Sequence, residues 1–196
     1  MKPAKLISAL LIAFAHMPHA QSQIQVVGFD EFTVPTFISG SSYADLIWET
    51  GNGGFPFGWY VPASDSINYP HSGSHNVMNF MGSTLTGIRF PLVVNVQGAY
   101  IAAQGDIGSW TAGVQVHVYS NGLEIQTTDW FNDIDTHPDW FAMNLAGVDR
   151  IVIECKNDGL GGAMFGLDDL TYAVPEPSSL SLLLLATVCC KRRLFA

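Results

Sequence analysis

Basic residues are scarce in this chain of 196 residues: eight Lys and Arg stand against 17 Asp and Glu. Five of the eight sit at the ends, as Lys2, Lys5, Lys191, Arg192 and Arg193. The stretch 21–173 therefore keeps Arg89, Arg150 and Lys156 against sixteen carboxylates, a net −13 with His neutral. Nucleic acid needs a basic face that such a body lacks, and anionic lipid is disfavoured for the same reason. Cysteine is nearly absent. Cys189 and Cys190 lie near the C-terminus, which leaves Cys155 alone in the body and excludes an internal disulfide there. No P-loop, dinucleotide fingerprint, HExxH helix or triad signature is present, which counts against an enzyme. Between the ends no stretch keeps helical spacing, and no apolar run reaches the roughly 20 residues of an ordinary spanning helix.

The chain has two short greasy ends. Lys2 and Lys5 precede the apolar run 6–15, and Ala20 offers a small residue for cleavage, with Ala15 as the alternative. Residues 1–20 read as a secretory signal peptide, a substrate of the Sec translocon. At the other end Val174, Pro175, Glu176 and Pro177 precede two serines, the apolar run 180–190 and the basic triplet Lys191, Arg192 and Arg193. The prolines block any extension of a helix toward the body, and the basic triplet resists translocation. The segment 174–196 resembles a PEP-CTERM sorting signal: motif, transmembrane helix and basic tail in that order. The resemblance implies a Gram-negative bacterium that makes exopolysaccharide. It also implies transient inner-membrane anchoring, recognition and cutting by an exosortase near Pro175, and delivery to the cell surface or matrix. An ordinary membrane anchor and a GPI signal are the rival readings of such a tail.

The body 21–173 has the length of one domain and reads as all-β. Val114, Val116 and Val118 alternate with polar residues, Asn121 and Gly122 follow, and Leu123 and Ile125 alternate again. This is a hairpin signal. Further strands are expected over 24–29, 76–81, 88–94, 99–103, 140–145, 151–155 and 164–172, with Pro91 marking an edge or a bulge. Alternation places Ile151, Ile153 and Cys155 on one face, so Cys155 reads as a buried, inert thiol. Many short strands joined by Gly, Ser and Asn imply a sandwich or jelly roll. The motifs Gly28-Phe29-Asp30, Gly58-Trp59-Tyr60, Ser72-Gly73-Ser74, Trp140-Phe141 and Phe165-Gly166-Leu167-Asp168-Asp169 resemble those of jelly-roll carbohydrate-binding modules. The resemblance implies a non-catalytic jelly-roll β-sandwich able to contact glycans such as exopolysaccharide.

Three groups of residues could carry chemistry. Asp30 and Glu31 close the first strand and Asp168 and Asp169 lie in the last. The jelly-roll resemblance implies that these ends meet and hold a structural Ca²⁺, for which hard oxygen ligands are suited. Trp48, Trp59 and Tyr60 lie around Gly-rich turns and would stack on sugar faces if exposed, or fill the core if not. Asp129, Asp133, Asp135, His137 and Asp139 form the densest polar cluster. Acids and a His could serve a polysaccharide hydrolase or lyase around 133–139, but a solvated turn is the plainer reading. His71 and His75 are separated by Ser-Gly-Ser, which forbids a helical metal pair and marks a loop.

Overall fold

The expected strand class is realised, but clean alternation is not general: Leu123 and Ile125, expected to be half-buried, are 71% and 53% exposed. The computed structural model describes residues 22–52, 58–63, 68–105, 110–156 and 163–175, and these contain twelve strands and no helix. In order they are β1 (Gln23–Val27), β2 (Thr36–Phe37), β3 (Ser41–Tyr43), β4 (Leu46–Trp48), β5 (Gly58–Val61) and β6 (Val77–Phe80). They continue with β7 (Leu85–Ala103), β8 (Gly113–Ser120), β9 (Leu123–Thr127), β10 (Phe131–Asn132), β11 (Asp139–Cys155) and β12 (Phe165–Val174). All are linked by hydrogen bonds into one sheet, and every pairing for which a register is defined between these strands is antiparallel. The architecture is all-β and consistent with a β-sandwich.

Two long strands organise it. The runs 88–94 and 99–103 are one strand, β7, and 140–145 and 151–155 are one strand, β11. The first part of β7 pairs with β4 and with the end of β11, where Ile88 faces Ile151 and Thr86 faces Ile153. The later part of β7 pairs with the start of β11 and with β12. Inward residues on β11 run Phe141, Met143, Leu145, then Val148, then Ile151, Ile153 and Cys155. Each break in that rhythm coincides with a register step, between Ala142 and Leu145, Leu145 and Val148, and Val148 and Arg150. Extra residues of this kind bend a strand and flip its faces, and Asn144 and Gly147 supply positive φ there. Pro91, which has no N–H to give, lies where the ladder steps from Arg89–Arg150 to Val94–Val148.

The expected hairpin is present. Ser120 pairs with Leu123, and Asn121 and Gly122 both take positive φ, 52° and 77°, as a two-residue hairpin turn requires. On β8, Val114, Val116 and Val118 are buried.

The core centres on aromatic rings. Trp48 meets Trp59 edge-on at 5.2 Å, Trp59 meets Phe165 at 6.0 Å, and Phe29 meets Trp48 at 5.5 Å. Both indole N–H groups are satisfied: Trp59 Nε1 donates to Gly87 O at 2.8 Å and Trp48 Nε1 to Tyr43 O at 3.1 Å. Buried Asn79 ties three backbone groups together. Its Nδ2 donates to Ser83 O (2.9 Å) and Ala163 O (2.6 Å), and its Oδ1 accepts from Phe165 N (2.7 Å). Cys155 is buried beside it and its Sγ donates to Ala163 O at 3.1 Å. Burial pushes the thiol up to about 12, so it stays protonated and inert.

Residues Ile24–Val174 form one compact unit. The second unit, Met1–Gln23 with Pro175–Ala196, lies outside the described residues apart from Ser22, Gln23 and Pro175. The segment 1–20 read as a signal peptide, Glu176 and Pro177 of the expected sorting motif, and the basic triplet Lys191, Arg192 and Arg193 therefore lie outside them too. Among the described residues no helix is long and apolar enough to cross a membrane.

Candidate functional site

Asp30, just after β1, and Asp168 and Asp169 on β12 are all held by the loop 71–75. Strand β12 carries an extra residue: Leu167 and Leu170 both point inward, and Asp169 between them takes φ 47°. Asp168 and Asp169 thereby both reach the loop. Asp168 Oδ2 accepts from the backbone N–H of His71 and Ser72 at 2.9 and 3.0 Å. Asp169 accepts from Ser72 Oγ at 3.0 Å and pairs with His71 Nδ1 at 2.7 Å. Asp30 Oδ1 accepts from the N–H of Ser74 and His75 at 2.6 and 3.2 Å. Gly73 sits between these contacts at φ +59°, and a Cβ there would run into the Asp30 carboxylate.

This neighbourhood is strongly negative. Burial, and then the hydrogen bond and charge of Glu31 with the charges of Asp30 and Asp168, push the Tyr43 phenol up. Burial also raises the Asp168 carboxyl to about 6. The charge of Asp169 adds to that rise, and the N–H groups of Ser72, Asp169 and His71 oppose it. Oxygen donors of this kind suit Ca²⁺, which takes 6–8 of them. The geometry is less suited: among the described residues no three His, Cys, Asp or Glu side chains converge on one point. A shell here would have to draw on backbone carbonyls as well.

The aromatic residues singled out in the sequence are placed differently. Trp48 and Trp59 are completely enclosed in the core and have no face to offer a sugar. The reason is packing: the largest apolar side chains fill the centre of the core when their N–H groups find partners, and both do. Tyr60 is half-buried and packs against Phe37 at 4.7 Å and Phe80 at 5.1 Å.

The open aromatic surface lies elsewhere. Trp140 on β11 is 39% exposed and faces Tyr100 on β7 across the ladder, with the rings edge-on at 5.2 Å. The His71 ring stacks flat on Tyr100, at 3.3 Å and 7°. Gly98 makes room for the indole: a Cβ there would sit 2.7 Å from Trp140 Cζ2. A groove of about 670 Å³ runs over this platform, edged by Gln97, Ser72, Asp169 and Thr171, with Val26 at its end. One sequence signal points to Trp140. In a strand whose Phe141, Met143 and Leu145 face inward, Trp140 takes the outward side. Tyr100 and Gln97 carry no comparable signal, because their meeting with Trp140 depends on cross-strand register.

The cluster at 129–139 is an open turn. Asp129, Asp133 and Asp135 are exposed, Asp133 has φ 59°, and Asp135 Oδ1 accepts from the N–H of His137 at 2.6 Å. His137 and Asp139 lie 3.4 Å apart with side chains 80% and 60% exposed. These are the contacts of turn-forming residues, and they define no groove around a pair of acids.

No protein-family model matches this chain, and no curated protein sequence matches it. Among solved structures, the chain is similar to the carbohydrate-binding module TmCBM61, solved in complex with beta-1,4-galactotriose. The two share 12% identity over 78% of this chain and 88% of that chain, with a TM-score of 0.35. Superposition that loose carries no argument about the ligand of this protein.

Proposed function

We propose that the folded body is a non-catalytic jelly-roll module that binds neutral glycans along the Trp140 groove. The observation that carries this reading is the exposed Trp140 ring, edge-on to Tyr100 in a groove that is also lined by Gln97, Ser72, Asp169 and Thr171. A ring stacks on the C–H face of a sugar as it does on other apolar faces, and the amide, hydroxyl and carboxylate groups beside it can bond the hydroxyls. An open groove suits the interior of a polysaccharide better than a chain end. Trp140→Ala should weaken binding to a neutral polysaccharide about thirtyfold, the equivalent of roughly 2 kcal/mol for losing a central aromatic anchor, with the melting temperature nearly unchanged. Glycan arrays followed by titration calorimetry test this, and equal affinity of the two proteins would refute it. Hydrolysis or lysis at 133–139 has no support from the open turn there.

The two chain ends support an exported protein: Sec-dependent entry, exosortase cutting near Pro175 and release to the surface or the exopolysaccharide matrix. Mass spectrometry of the mature C-terminus tests this, and a chain that keeps Arg193 in exosortase-positive cells would contradict it. Ca²⁺ at Asp30, Glu31, Asp168 and Asp169 belongs to the same reading. Its support is the concentration of carboxylates at one loop.

A further inference from the structure

A second groove, of about 470 Å³, opens over the part of the sheet made by β4, the start of β7, the end of β11 and the β8–β9 hairpin. Its floor is made of Leu85, Gly87 and Val152. Gly87 leaves room for the Glu49 carboxylate: a Cβ there would lie 2.1 Å from Oε2. The Gly87 carbonyl is held by Trp59 Nε1 at 2.8 Å and Glu49 N at 2.9 Å, so the core fixes the floor.

The walls are built of paired charges. Arg150 Nε lies 2.9 Å from Glu49 Oε2, and Arg89 Nη2 lies 3.0 Å from Glu49 Oε1. Burial alone would raise the Glu49 carboxyl, but the two guanidiniums overcome it and hold it below its usual range. The Arg150 guanidinium also covers the Tyr119 ring at 4.7 Å. Opposite, His117 Nδ1 meets Glu124 Oε1 at 3.0 Å and Nε2 meets Glu154 Oε2 at 2.8 Å. A neutral imidazole has one N–H, so both contacts are hydrogen bonds only when the ring is the cation. Burial disfavours that cation, yet the two glutamates prevail and raise the His117 pKa. With His117 protonated, and counting Arg89, which pairs with Glu49 from outside the groove lining, three carboxylates balance three cations: Glu49, Glu124 and Glu154 against Arg89, Arg150 and His117.

We propose that this groove is a second sugar site, one that takes a neutral, hydroxyl-rich sugar through hydrogen bonds rather than ring stacking. A sugar hydroxyl both donates and accepts. The walls offer it the remaining lone pairs of Glu124, Glu154 and Glu49, the remaining N–H groups of Arg150, and the Tyr119 hydroxyl, which lies 3.3 Å from Glu124 Oε2. Both His117 N–H groups are taken by Glu124 and Glu154 and serve to hold those carboxylates in place. The balanced charge favours neither an anionic nor a cationic ligand. Stacking is disfavoured on the face of Tyr119 that Arg150 covers. Glycoside cleavage is not what this geometry serves, since the imidazole fills the gap between Glu124 and Glu154 where a scissile bond would have to lie. The site shares no residue with the Trp140 groove and stands without it. Deprotonation of His117 removes one wall contact and the charge balance, so affinity falls as pH rises through the raised His117 pKa.

The test is NMR of the full-length chain, with labelled histidine and tryptophan, in a detergent without a sugar headgroup. Glucose, galactose, mannose and their β-linked disaccharides are titrated in turn. At least one should shift the His117 ring signals saturably in the wild type and equally in Trp140→Ala. Glu154→Gln and Tyr119→Phe should each weaken that response about tenfold with the remaining spectrum unchanged. Movement of the Trp140 indole without movement of His117 overturns this site and leaves the Trp140 groove standing. Movement of His117 alone does the reverse. A His117 shift that vanishes in Trp140→Ala, or no shift at either residue with any sugar, also overturns it.

Discussion

Replacing Trp59 with alanine lowers the stability of the folded body by about 3–5 kcal/mol, as expected for a large side chain removed from a packed core. The indole is fully enclosed, edge-on to both Trp48 and Phe165. Its removal leaves a cavity that neighbouring rings, locked edge to face, cannot easily fill. The Gly87 carbonyl also loses one of its two donors, and keeps Glu49 N. Trp59→Phe keeps part of the ring and loses the N–H, so its cost should be smaller. Urea titration measures both. The contrast with Trp140 is the informative part: truncation at 140 should change binding and leave the unfolding midpoint nearly fixed, whereas truncation at 59 should shift the midpoint. An unmoved midpoint for Trp59→Ala, with glycan affinity lost, would return Trp59 to the role that its sequence context suggests.

In the absence of divalent cations the folded body should lose stability, on the order of 2 kcal/mol, as pH rises from 4 to 7. The sign follows from Asp168. Its folded pKa is raised to about 6 from an ordinary 3.8, first by burial and then by the charge of Asp169. A group raised on folding contributes its full stability below the unfolded value and loses it as pH passes through the folded one. The window is therefore about 3.8 to 6, and Asp168→Asn should flatten it. His117 is also raised, but from 6.5, so its loss comes at higher pH and the two windows can be separated. Ca²⁺ bound at Asp30, Glu31, Asp168 and Asp169 would reverse the loss at neutral pH. A ligand that binds only the native state adds RT ln(1 + [L]/Kd). Melting temperatures at pH 7 with calcium and with a chelator decide this. Equal values exclude calcium, whereas the slope between pH 4 and 6 tests the buried carboxylate by itself.

That the terminal acids lie near one another was suggested by the jelly-roll resemblance; that Asp30, Asp168 and Asp169 are held by the N–H and hydroxyl groups of the loop 71–75 appears only in the fold. The Asn121–Gly122 hairpin was legible, since two residues at positive φ are a local requirement. Strand lengths were not. Residues 95–98 read as a gap between two strands, yet β7 runs through them, and Pro91 falls at a step in the ladder. Whether a break in alternation ends a strand or bends it depends on the neighbours that continue the ladder.

The grooves depended most on what the sequence conceals. Tyr100, 40 residues from Trp140, meets it through the β7–β11 register. Glu49, Arg89 and Arg150 meet where β4, β7 and β11 lie side by side. His117 reaches Glu154 through the β8–β11 register.

The sequence by itself determined the composition of this body and its strand class: anionic, poor in sulfur, and patterned with period two, because charge and alternation are properties of neighbouring residues. The tertiary structure alone decided which rings are core and which face water. Trp59 and Trp140 are chemically the same side chain, and the side of the sheet to which each points follows from bulges and register, which exist only once the strands have paired.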